Sequence, residues 1–175
     1  MPEPPAVPPD TRDWTFVITE GCGECGFTPQ PPETTGDRLR ATIPLWRRAL
    51  ASGSARQRPA PAVWSAVEYG CHVRDTCRLF RDRLALMLAA DDPEFANWDQ
   101  DVTALEDGYV HQDPAVVAEA LAAEAQATAA AFDAIVPGQW HRTGRRSNGS
   151  VFTVGTFAVY FLHDIEHHVH DVAGR

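Results

Sequence analysis

The chain contains no lysine: all 15 of its basic side chains are arginine, against 24 carboxylates, for a formal net charge of −9. A sequence pI near 5.1 excludes the broad basic face that a nucleic-acid-binding domain needs. Cysteine is scarce. Four cysteines in 175 residues do not make a disulfide scaffold, and a reducing compartment is expected. No apolar run approaches the roughly 18 residues of a membrane span. The opening Met1-Pro2-Glu3-Pro4-Pro5 has neither the basic flank nor the apolar block of a signal peptide. The expected location is therefore the cytoplasm, with no membrane partner. The chain also lacks a GxSxG elbow, a P-loop and a dinucleotide fingerprint. What is present, 44% hydrophobic and 22% charged residues in 19.2 kDa, fits one globular domain with a sizeable core. Arginine without lysine, together with abundant alanine, fits a high-GC genome such as that of an actinobacterium.

The chain divides by composition. Residues 1–36 read as an irregular N-terminal arm: a proline-rich polar stretch over 1–13, expected to be mobile, then Trp14-Thr15-Phe16-Val17-Ile18, whose weak alternation suggests an extended segment. A Cys22-Gly23-Glu24-Cys25-Gly26 turn and a proline-rich connector, Pro29 to Pro32, follow. Residues 37–175 read as helical. Leu39, Ile43, Trp46 and Leu50 recur at helical spacing, with Pro44 an expected irregularity. A long second helix is predicted from about Ser65 to Ala90. Asp113-Pro114 supplies a cap and a first-turn proline for a third, ending before Pro137-Gly138. The fourth runs from about Thr153 to Val172. Between the second and third, Phe95 to Tyr109 lacks clean periodicity and reads as a partly ordered connection. The fold class is all-α, a four-helix bundle.

The chemistry concentrates at the C-terminus, where His163, His167, His168 and His170 alternate with Asp164, Glu166 and Asp171. Residues four apart on a helix sit one turn above each other, so two of them can face one metal ion. Taking about 100° per residue and centring on Ile165, the apolar residues Phe161, Leu162, Val169 and Val172 fall within about 60°. His168 and Asp164 lie on the shoulder of that stripe. His163, His167 and His170 point about 140–160° away, toward expected solvent. Because bundle metal sites lie among facing helices, Asp164 and His168 are the favoured pair, with His163 and His167 the alternative. His72, on the shoulder of the second helix's apolar face, offers a third ligand. Three protein ligands with an open position suit a catalytic zinc or similar divalent ion.

With His72 inside Glu68-Tyr69-Gly70-Cys71-His72-Val73-Arg74-Asp75, and His167-His168-Val169-His170-Asp171-Val172 on the fourth helix, residues 37–172 resemble the DinB-like superfamily of metal-dependent four-helix bundles. That family places a histidine in the second helix and an i, i+4 pair in the fourth. The resemblance maps His72, Asp164 and His168 onto those positions. Histidine is usual where Asp164 stands; a carboxylate occurs there in the related mycothiol-dependent maleylpyruvate isomerases. The resemblance implies a divalent metal, often zinc or nickel, that binds water or a low-molecular-weight thiol such as mycothiol. It also implies a small-molecule substrate undergoing thiol transfer or metal-assisted hydrolysis.

Three further segments carry candidate chemistry. Cys22 and Cys25 are half of a zinc knuckle, so a second metal site is one reading; two free thiols in a tight turn, or a disulfide or redox pair, are the others. Asn97, Trp98, Asp99 and Asp101 lie in a loop able to line a substrate pocket, with Trp98 as an apolar wall and an aspartate as base or ligand-orienting group. Arg142, Arg145 and Arg146 either capture an anion or neutralise nearby acids. The alternative to an enzyme is a non-catalytic stress-response or binding module that packs as a homodimer.

Overall fold

The computed structural model describes residues 7–173, so the first six residues of the expected arm lie outside it. Four long helices form the body: α2 (Thr35–Leu50), α3 (Ala66–Ala89), α5 (Pro114–Asp133) and α6 (Val154–Val172). Two short ones accompany them, α1 (Val17–Glu20) and α4 (Gln100–Glu106). Each long helix after α2 starts at a side-chain cap. Ser65 and Glu68 form a reciprocal capping box on α3, Asp113 accepts from Ala115 and Val116 on α5, and Thr153 accepts from Thr156 on α6. Such caps satisfy the orphan first-turn amides. At α3 the cap is reinforced by Arg58, whose guanidinium forks onto the buried Glu68 carboxylate. The helix α2 runs unbroken through Pro44.

The long helices do not pack in chain order. Both α2 and α3 lean on α5 and α6, so α2 and α3 occupy one diagonal of the bundle and α5 and α6 the other. This puts α3 directly beside α6, the seam on which the site is built. The core fills with Leu39, Trp46, Phe80, Leu121, Phe132, Phe157, Phe161 and Ile165. The alanine-rich α5 is, by length and composition, apolar enough to cross a membrane, contrary to the expectation that no segment is. Its alanines raise mean hydropathy without a run of large side chains. Val117, Leu121, Ala125, Thr128 and Phe132 are instead buried in the bundle.

Two connections are more ordered than expected. Glu94–Phe95 (β1) pairs in parallel with Thr143–Arg146 (β2), which pairs antiparallel with Val151–Thr153 (β3). The small sheet sits tight against α3: a Cβ on Gly144 would stand 2.7 Å from the Phe95 ring and 2.8 Å from Met87. Asp99 caps α4 by accepting from the amides of Asp101 and Val102, and so orders the stretch after Trp98. In the arm, Trp14 to Ile18 is not extended. It turns into α1, with Val17 fully buried, and Trp14 and Phe27 pack on His163 of α6 while Phe16 stacks on Trp14.

Candidate metal centre

On α6 the i, i+4 spacing produces two offset pairs, and they face different neighbours. Asp164 and His168 look across the seam to His72 on α3. One donor atom from each of these three residues lies within 4.8 Å of the others. His72 Nε2 is 3.6 Å from Asp164 Oδ2, and His168 Nε2 is 3.7 Å from Asp164 Oδ1. His168 Nδ1 lies 2.9 Å from Asp171 Oδ2, a carboxylate that orients the ring and leaves Nε2 facing inward. His72 is buried among aromatic rings. Trp98 stacks on it at 5.5 Å and 9°, and Trp64 leans over it at 5.5 Å. Its Nδ1 is buried with no hydrogen-bond partner among the described residues.

The electrostatics follow from this packing. Burial lowers the His72 pKa further than the nearby Asp164 can raise it, which favours the neutral, ligating imidazole. Burial pushes His168 down too, but its bond to Asp171 and the charge of Asp164 outweigh it and leave its pKa raised. For Asp164, burial alone would raise the pKa; the bond to His72 and the neighbouring His168 prevail and hold it as a carboxylate.

A cleft of about 580 Å³ opens over Asp164 and His168, lined by the arm on one side and the Asn97–Asp101 loop on the other, while His72 lines a smaller adjoining recess that shares Asp164. Trp98 is among the residues that line the cleft. Asp99 and Asp101 both line it; Asp99 also caps α4, and Asp101 has its pKa raised by burial and by Asp99. Asn97 lines both the cleft and the recess. The arginine cluster splits. Arg142 caps the end of α3 by donating to the Met87 and Ala90 carbonyls, and Arg145 pairs with Asp92. Arg146 alone turns to the cleft, its Nη1 3.4 Å from the Tyr160 hydroxyl, and forms no salt bridge among the described residues.

The second pair requires a correction. His163 and His167 were expected to face solvent, yet His163 is only 4% exposed and His167 half-buried. Helical angles rank positions against the bundle core and cannot anticipate that the arm covers α6 from outside. The rings of Trp14 and Phe27 each lie 5.3 Å from that of His163. The same arm delivers Cys22 and Cys25, and these two with His163 and His167 form a second group whose donors lie within 4.8 Å of one another. All four cysteines are free thiols. Burial raises the Cys25 pKa to about 11 and lowers that of His163 to about 4. His170 stays exposed.

Asp171, Trp64, Tyr160 and the lone role of Arg146 escaped the sequence reading. Asp171 had a legible signal, three residues after His168; the others come from loops and faces whose positions only the tertiary fold sets.

A histidine from one helix and an Asp/His pair from its neighbour, converging at the mouth of a diagonally wired four-helix bundle, define a class of bundle with a built-in ligand triad. The chain belongs to the DinB superfamily, which residues 50–172 match. Among solved structures it is similar to YfiT from Bacillus subtilis, described as a probable metal-dependent hydrolase with an unusual four-helix bundle topology. The TM-score is 0.72 at 14% identity, over 90% of this chain and 96% of that one. That likeness establishes the fold. No curated protein matches the chain.

Proposed function

We propose that the chain is a metal-dependent enzyme that holds one divalent ion, zinc or nickel, through His72, Asp164 and His168 and acts on a small molecule in the cleft above them. The observation that carries this reading is the convergence of three ligand-type side chains from α3 and α6, with Asp171 orienting one of them. The donor set fits the group: two imidazoles and a carboxylate suit zinc or nickel, and one open position suits catalysis. When bound, such an ion lowers the pKa of water or of a low-molecular-weight thiol such as mycothiol.

The chain's own residues supply the rest. Trp98 and Trp64 wall the cleft and exclude water from His72. Asp101, which lines the cleft with its pKa raised by burial and by Asp99, takes the proton released as the nucleophile adds to the substrate's electrophilic carbon. Arg146 holds an anionic group on the substrate, or the carboxylate of the thiol, by paired hydrogen bonds. YfiT's description as a hydrolase favours water as the nucleophile; the resemblance to maleylpyruvate isomerases favours a thiol.

Elemental analysis of untagged protein tests the metal, and a panel of small electrophiles assayed with and without thiol tests the chemistry. His72→Ala should lose one equivalent of metal relative to wild type, keep its helical circular dichroism and lose turnover. Full metal retention in His72→Ala overturns the assignment. Turnover that needs added thiol selects transfer; turnover in buffer alone selects hydrolysis.

A further inference from the structure

Beyond the triad, we propose that Cys22, Cys25, His163 and His167 form a separate structural zinc site that staples the N-terminal arm to the outer face of α6. Read in chain order, the ligands are Cys-x2-Cys followed far downstream by His-x3-His, the spacing of closed Cys2His2 zinc sites. The fold supplies the contact that the spacing alone does not. Cys22 Sγ lies 3.7 Å from His167 Nδ1, and one donor atom from each of the four lies within 4.8 Å of the others. Zinc–sulfur bonds of about 2.3 Å and zinc–nitrogen bonds of about 2.0 Å at tetrahedral angles place donors roughly 3.3–3.8 Å apart. The four side chains therefore need to draw in by only about 1 Å, within rotamer adjustment.

Two features of this corner have no other account. His163 is 96% buried, yet its Nε2 has no hydrogen-bond partner among the described residues. A buried polar nitrogen left unpaired costs stability unless something absent from the protein atoms satisfies it. The cysteine turn is also built for close convergence. Cys22 N–H donates to Phe27 O at 2.9 Å and Gly26 N–H to Cys22 O at 2.9 Å. Gly21 and Gly26 sit at φ 77° and 76°, and a Cβ on Gly21 would stand 2.6 Å from Phe27 O. This tight loop brings two thiols to one side with no disulfide between them.

The site differs from the triad in kind. It is closed, with four protein donors and no open position, which is the signature of a structural ion. Two thiolates select zinc over harder ions. Its effect on the active cleft is indirect: the arm it anchors carries Asp10, Arg12 and Trp14, which line the cleft wall. It stands or falls independently of the triad, because the triad contains no sulfur.

Cobalt substitution separates the two. Untagged protein is stripped with chelator, reloaded with cobalt(II) and examined by absorption spectroscopy. Wild type and His72→Ala should both show an intense thiolate-to-cobalt charge-transfer band, and Cys22→Ser/Cys25→Ser should lose that band while keeping the ligand-field bands of cobalt held by the sulfur-free triad. Absence of the charge-transfer band in wild type, or its survival in the double variant, overturns the proposal. Should the double variant fail to fold, alkylation of wild-type protein mapped to peptides decides. Zinc should slow modification of Cys22 and Cys25 at least tenfold, and chelator should restore it. Equal rates with and without zinc overturn the site, as does recovery of the two cysteines as a disulfide from protein purified anaerobically.

Discussion

Asp164 and His168 differ from His163 and His167 by one residue of register on a single helix, and that residue separates two environments. The inner pair meets another long helix, α3, across a seam whose position is fixed by bundle packing and by the Arg58–Glu68 lock at the start of α3. The outer pair meets a loop-rich arm, with one helical turn of its own, that is held by aromatic rings and an exposed Arg12–Glu24 contact. The inner pair keeps an open side and a cleft, whereas the outer pair is closed over. The same i, i+4 geometry thus serves two ends, and what each pair does is decided by what packs on it.

The largest effect that can break this comparison is expected at Phe27. It is 4% exposed and sits edge-on to His163. Phe27→Ala should cost about 3–5 kcal/mol by loss of buried area and the cavity left behind. The arm should loosen while His72-dependent metal stays bound. Denaturant unfolding paired with elemental analysis checks this. Loss of metal from both groups together would show that the two environments are one cooperative unit.

Next in size is Arg58, which tests the inner seam. Removing one partner of a buried pair costs about 3 kcal/mol or more. Burial works to raise the Glu68 pKa, but Arg58 and the Ser65 bonds overcome it and hold the carboxyl below its ordinary 4.5. A depressed carboxylate contributes stability that is present above 4.5 and lost as pH falls through the lower folded value. Wild type should therefore lose stability on acidification, and Arg58→Ala should show most of its deficit at neutral pH and much less in acid. Unfolding curves at several pH values measure the gap. A deficit that is constant with pH would mean Arg58 acts through packing alone.

How far the site was legible follows from these same residues. His72, Asp164 and His168 could be picked from helical angle because the packing that gathers them is helix against helix, which periodicity encodes. The four long helices were legible for the same reason, through Ser65, Asp113 and Thr153 at their starts. The burial of His163 was not, since it depends on a segment with no periodicity folding back over more than a hundred residues of chain. Nor did any pattern reveal that Asp99 would cap α4 while Asp101 sits inside its first turn. That division depends on where α4 begins. The sheet was invisible because its strands are two to four residues long and only pair once α3 and α6 are in place.

The smallest effect is the sharpest test of the inner pair. Asp171 accepts from the far nitrogen of His168, Nδ1, at 2.9 Å and so sets which nitrogen of that ring faces Asp164. Partners of this kind are worth about 10–100-fold in metal affinity, or about 1.4–2.7 kcal/mol. Asp171→Asn should weaken the His72-dependent metal by that factor in a chelator competition and leave the thiolate-to-cobalt band of the outer group unchanged. The change in global stability without metal should be small, because the side chain is at the C-terminal turn of α6 and 23% exposed. If affinity at the inner site does not move, His168 is not oriented by Asp171, and the inner pair loses the feature that sets it apart from two neighbouring side chains on a helix.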